Sequence, residues 1–286
     1  MSYQTLIDVD ELVALIANDA VVLVDCRSEL SDPGWGHAQF LDHHVPGARF
    51  ADLNTELSDL SRRQWEGRHP LPDPQPLAQV LTRLGAEPGR QLVAYDQGPG
   101  VYAARLWWLL RALGQRDVAV LDGGLGAWKA RELPLASGPA ADASVAVPVR
   151  PLTQMPQMEF DALQRKLAEH ACVLVDARAA ERFAGTQEPI DPVAGHVPGA
   201  INRPWQDNLR ADGKFKAAAQ LKQEWLALLG DRAPAQVVHM CGSGVTACHN
   251  LLSMQHAGLG TSTLFAPSWS GWILDPARPV AGPLSA

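Results

Sequence analysis

The chain contains the same pattern twice, and this duplication constrains its fold more than any other feature. Val22-Leu23-Val24-Asp25-Cys26-Arg27 returns as Val173-Leu174-Val175-Asp176-Ala177-Arg178, and His44-Val45-Pro46-Gly47-Ala48 returns as His196-Val197-Pro198-Gly199-Ala200. Leu92-Val93-Ala94-Tyr95 corresponds to Val237-Val238-His239-Met240, which sets Asp96 opposite Cys241. Gly123-Gly124-Leu125-Gly126-Ala127-Trp128 lies opposite Pro267-Ser268-Trp269-Ser270-Gly271-Trp272. A pattern repeated once over about half a chain means duplicated domains rather than a solenoid. Each half alternates short Val/Leu runs with longer helical stretches, such as 11–16 and 102–113. That alternation predicts an α/β fold in which each half builds a parallel sheet flanked by helices. Residues 139–157 lack periodicity and hold Pro139, Pro148, Pro151 and Pro156, so they read as a linker between an N-terminal domain (1–138) and a C-terminal domain (158–286).

Only the second half carries a nucleophile at the end of its middle strand. The run 237–247 ends an apolar stretch at Cys241, follows it with Gly242-Ser243-Gly244, and enters a helical pattern at Val245-Thr246-Ala247. Ligands of parallel sheets bind at the carboxyl ends of strands. N–H groups that converge in a tight loop before a helix make an anion-binding nest, and a thiol held there is expected to ionise more readily. In the first half the same loop, Asp96-Gln97-Gly98-Pro99-Gly100-Val101, has a carboxylate in place of the thiol. The first domain is therefore expected to be non-catalytic and to lend residues to the C-terminal site.

The remaining bounds narrow the class. A net charge of −7 gives no footing for nucleic acid or an acidic membrane surface, and no apolar run reaches the length of a membrane span. Four cysteines, Cys26, Cys172, Cys241 and Cys248, make no disulfide framework in a chain of 286 residues. The N-terminus lacks the basic and apolar regions of a signal peptide, so a cytoplasmic location is expected. A phosphatase of the cysteine type needs an arginine six residues after its nucleophile, where this chain has Ala247. The spacing from Cys241 to Cys248 and His249 is not that of close metal ligands, so no metal or cofactor is expected.

Taken together, the Asp-Xaa-Arg and His-Val-Pro-Gly-Ala pairs, Leu121-Asp122-Gly123-Gly124 and Cys241-Gly242-Ser243-Gly244-Val245-Thr246-Ala247 resemble the two-domain rhodanese-type sulfurtransferases over essentially the whole chain. The Gly-Ser-Gly loop is similar to the 3-mercaptopyruvate branch. The thiosulfate branch usually has Arg and Lys after the cysteine. The resemblance implies two tandem rhodanese-like domains and a persulfide on Cys241. Sulfur would come from a small-molecule donor and pass to cyanide or to a thiol acceptor, with thioredoxin a candidate. Thiosulfate as donor, and a carrier that holds sulfur without turnover, are the alternatives.

The resemblance also assigns residues. Arg182 falls at the substrate-binding arginine, and a planar fork suits a carboxylate. A second arginine is expected nine residues on, but Asp191 stands there, and Arg203 is a candidate substitute. Gly242 and Gly244 are expected to free the loop's backbone angles, with Val245 and Thr246 completing the substrate-binding loop. Ser243 either donates to the sulfur or substrate, or merely forms the turn. Thr246 either bonds the thiolate or caps the helix, the latter being preferred. His69 matches a histidine proposed to assist the cysteine as base or proton donor. Its aspartate partner aligns with Asn54. His44, His196, Asp25, Arg27, Asp176 and Arg178 occur in both halves and are read as structural. Trp269 and Trp272 are expected to pack, in a run without the acidic residues the family commonly has there.

Overall fold

A computed structural model describes residues 2–143 and 145–282. The chain forms β1 (Leu6–Ile7), α1 (Val9–Ala17), β2 (Val21–Asp25), α2 (Trp35–Asp42), β3 (Arg49–Phe50), α3 (Arg63–Glu66), α4 (Pro74–Leu84), β4 (Gln91–Tyr95), α5 (Ala103–Ala112), β5 (Val118–Leu121) and α6 (Gly124–Ala130). It continues with α7 (Phe160–Ala168), β6 (Val173–Asp176), α8 (Ala180–Ala184), β7 (Ile201–Asn202), α9 (Ala218–Leu229), β8 (Val237–Met240), α10 (Thr246–His256), β9 (Thr263–Leu264) and α11 (Ser268–Trp272). These elements divide into two units. One holds residues 1–59, 71–154 and 211–215, and the other holds 60–70, 155–210 and 216–286. Each unit thus takes a short segment from the other repeat. The segment 60–70, which carries His69, belongs to the unit of Cys241.

In the first unit five parallel strands run in the order β1-β5-β4-β2-β3. All five residues of β4 are buried, and Leu92, Val93 and Ala94 supply the apolar run expected of a central parallel strand covered on both faces. Leu23, Val93, Tyr95 and Leu121 pack there with Leu12 of α1 and Trp128 of α6. A reciprocal pair of hydrogen bonds starts α1, Glu11 N–H to Asp8 Oδ1 at 2.8 Å and Asp8 N–H to Glu11 Oε2 at 3.0 Å. Residues 139–143 and 145–154 run along this unit, with Ala143 N–H donating to Arg83 O and Gln154 N–H to Ala112 O, each at 2.9 Å.

The second unit has four parallel strands in the order β7-β6-β8-β9. Leu174, Val238, Met240 and Phe265 form its core with Trp269 and Trp272. β8, which Cys241 directly follows, is an inner strand, so its end is fixed by neighbours on both sides.

The residues shared by both repeats brace the turns after β2 and β6. Arg27 binds Asp25 at 2.7 Å with both side chains buried, and reaches the carbonyls of Gln39 and His43. Arg178 binds Asp176 at 2.7 Å, donates to Gly195 O, and lies over the Trp269 ring. His44 bonds Phe40 O and stacks on the Phe40 ring, and His196 does the same with Phe183. Buried charges are tolerable here because each is paired and hydrogen-bonded.

Candidate active site

Five residues, 241–245, join β8 to α10. The Sγ of Cys241 accepts the Gly244 N–H at 3.1 Å, and the thiol is only 2% exposed. Gly244 has φ +76°, and a Cβ there would lie 2.3 Å from Ala266 O. No other residue fits that position. Gly242, unlike Gly244, has no left-handed backbone, and a Cβ there would press on two guanidinium groups.

The start of α11 clamps the loop from outside. Trp269 N–H donates to Cys241 O and Ser270 N–H to Gly242 O, both at 2.9 Å. Cys241 N–H donates to Ser268 Oγ at 3.0 Å, and that hydroxyl lies 4.0 Å from Sγ. Ser268 holds φ +54°, a costly conformation for a residue with a Cβ. A serine does not announce such a conformation in sequence. The signal was in the repeat, where Ser268 stands opposite Gly124, whose φ is +53° and which begins the same clamp, Leu125 N–H donating to Asp96 O at 2.9 Å.

Residues 67–69 reach the same loop. Gly67, at φ +91°, lies so close to 267–271 that a Cβ would sit 2.6 Å from Pro267 O. Arg68 N–H donates to Ser270 Oγ at 2.9 Å. His69 is buried with its Nδ1 2.7 Å from Ser243 Oγ. The structure therefore puts the histidine on the serine beside the thiol. Asn54 belongs to the first unit, where its N–H donates to Asp52 Oδ1 at 2.8 Å in a turn.

Beside Gly242 lies a chain of alternating charges. Arg182 is held by Glu188 (Nε to Oε1, 3.0 Å) and by Asp191 (Nη2 to Oδ2, 2.9 Å). Asp191 binds Arg68 through its other oxygen. Glu188 also meets Arg178 at 3.3 Å and accepts the N–H groups of Ile190 and Asp191 at 3.1 Å. Burial pushes the Glu188 carboxyl up, but Arg182 and these N–H donors outweigh it and hold it below its ordinary range. A Cβ on Gly242 would lie 3.0 Å from Arg68 Nη2 and 3.4 Å from Arg182 Nη1. Two cations thus face the residue next to the thiol.

Other expected groups lie elsewhere. Arg203 does not join the loop. Its guanidinium is spent on Asn208, on Glu224 at 3.0 Å, and on the Trp225 face at 4.4 Å. Thr246 does not cap α10. It is the first helical residue, the cap is Val245, and no side chain makes a capping bond there. Cys248 Sγ donates to Gly244 O at 3.4 Å. Among the described residues no three His, Cys, Asp or Glu side chains group as metal ligands, and no helix is long and apolar enough to cross a membrane.

The model of the rhodanese-like domain matches this chain twice, over residues 8–131 and 159–275. The chain belongs to the rhodanese-like family. Its two rhodanese domains account for the duplicated sheets and for the loop that appears once with Asp96 and once with Cys241. A Pseudomonas aeruginosa protein named "Probable 3-mercaptopyruvate sulfurtransferase" is 46% identical over 98% of this chain and 99% of its own length. The human 3-mercaptopyruvate sulfurtransferase is 34% identical over 84% of this chain and 80% of its own. In structure, this rhodanese chain is similar to SseA from Escherichia coli, described as a 3-mercaptopyruvate sulfotransferase. The TM-score is 0.77 and the identity 27%, over 94% of this chain and all of that one.

Proposed function

We propose that this protein is a sulfurtransferase that takes sulfur from 3-mercaptopyruvate through a persulfide on Cys241. The observation that carries the reading is the Cys241 loop, where a backbone N–H at 3.1 Å from the sulfur and two guanidinium groups beside Gly242 converge. The Cys241 thiolate attacks the donor sulfur. The donor's carbon–sulfur bond breaks, and its electron pair leaves on carbon as the enolate of pyruvate. That enolate takes the proton of the former donor thiol, leaving pyruvate and a Cys241 persulfide anion. Ser243 relays this proton with His69, a role supported by the hydrogen bond between them. A thiol or cyanide then removes the outer sulfur and restores the thiolate, a double displacement. Loop N–H groups stabilise the sulfur anion in both states. Arg182 takes the donor carboxylate. The four cysteines form no disulfide, in keeping with a reducing cytoplasm where thioredoxin serves as the thiol acceptor.

The test is kcat/KM for 3-mercaptopyruvate and thiosulfate side by side, with Cys241→Ser as control and intact-mass analysis after donor alone. Preference for 3-mercaptopyruvate, abolished in Cys241→Ser, together with the mass of one added sulfur, supports the proposal. A thiosulfate preference overturns the donor assignment. Stable sulfur on Cys241 without turnover makes the protein a carrier, and activity in Cys241→Ser ends the mechanism.

A further inference from the structure

We infer that Arg68 is the second cation of the donor-anion site, a role its position in the first repeat gave no hint of. The inference rests on the reading that an anionic donor meets Cys241. Position 191, where the family's second arginine is expected, holds an aspartate that is 3% exposed. That aspartate does not compete for the donor. Its two oxygens are spent on Arg68 Nη1 and Arg182 Nη2. The bridge holds two like charges side by side and turns their other nitrogens to Gly242. Among the described residues, Arg68 Nη2 and Arg182 Nη1 have no hydrogen-bond partner. Arg68 Nε is buried and also has none. Nε and Nη2 are the guanidinium edge that takes a carboxylate side-on. A buried donor without a partner is rare and costly, and an arriving carboxylate would satisfy it.

The arrangement amounts to a relocated charge. Arg68 comes from a segment far from 191 in sequence, anchored by Gly67 and by the Arg68 N–H bond to Ser270. Asp191 then serves as the bracket that orients both forks. Arg68 accordingly binds and orients the donor and takes no part in the proton transfers.

The test compares two reagents at the same thiol. Iodoacetate carries a carboxylate and iodoacetamide does not, so the ratio of their alkylation rates at Cys241, read by peptide mass analysis, reports the local cations. In Arg68→Ala the ratio is expected to fall about tenfold while the iodoacetamide rate holds, and in Arg68→Lys to fall less, since charge remains but the fork is lost. In the same variants KM for 3-mercaptopyruvate should rise about tenfold to a hundredfold with a smaller change in kcat. Arg68→Ala/Asp191→Arg, which restores an arginine at 191, should recover much of the ratio.

A ratio unchanged in Arg68→Ala overturns the inference. So does an equal fall with both reagents, which would mean a disturbed thiol rather than a lost cation. If the ratio falls but the wild-type protein does not turn over 3-mercaptopyruvate, the anion site stands and the proposed donor fails.

Discussion

Asp96 and Cys241 occupy the same position in two copies of one loop, and each faces backbone N–H groups, the Cys241 sulfur accepting from Gly244 at 3.1 Å. Asp96 takes four, from Gly98 and Gly100 at 3.0 Å, Tyr102 at 2.8 Å and Ala103 at 3.3 Å. Its carboxyl is fully buried, and burial pushes its pKa up against those four donors. The first domain keeps an anion cradle and fills it with its own side chain.

From this comes the first prediction. Asp96→Ala leaves four N–H groups without their acceptor, and should lower the unfolding free energy by about 2–4 kcal/mol. Sulfur transfer per folded molecule should be unchanged. Chemical denaturation gives the first quantity and kcat/KM well below the melting point gives the second. A large fall in kcat/KM of the folded variant would show that Asp96 serves the chemistry.

The bond between His69 and Ser243 supports a second prediction. If the pair relays the enolate's proton, Ser243→Ala and His69→Gln should each lower kcat by about a hundredfold, within the usual range for general acid–base groups. The double variant should be scarcely worse than either single one, because groups acting as a unit are not additive. A serine that only forms the turn would behave differently. Ser243→Ala would then lower the melting midpoint and leave kcat intact.

How much of this was legible beforehand depends on sequence distance. The duplicated runs predicted two α/β halves with parallel sheets, and Cys241 stands at a strand end before a helix, because short-range pattern dictates such features. Arg182 comes from the family resemblance rather than from local pattern, and the structure puts its guanidinium near Gly242. The sequence could not show that 60–70 joins the unit of Cys241, since that depends on Gly67 fitting against Pro267 across the whole chain. With that contact hidden, the sequence points to Arg203 rather than Arg68 for the missing cation. Its guanidinium instead satisfies buried partners near Trp225. Thr246 was misjudged by one residue, the usual uncertainty of a helix start. Ser268 was legible only through backbone conformation, which its partner Gly124 encodes and a serine conceals.

The third prediction concerns acid stability and rests on His239, two residues before the thiol. Its side chain is fully buried in β8, edge-on to the Trp225 ring at 5.5 Å, with Nε2 3.1 Å from Met254 Sδ and Nδ1 without a partner. Burial, joined by the nearby Arg203 charge, lowers its pKa from 6.5 to about 3. The folded protein therefore holds His239 neutral while the unfolded chain takes up a proton below its ordinary value. Stability is fully present above that value. It is lost as pH falls towards the folded one, by up to about 1.4 kcal/mol per pH unit. In His239→Leu this share of the acid dependence should vanish, leaving a shallower fall in unfolding free energy between pH about 6 and about 4. Urea unfolding at a series of pH values measures both slopes. Parallel curves for the two proteins would mean that other groups govern the acid limb and that His239 is protonated in place.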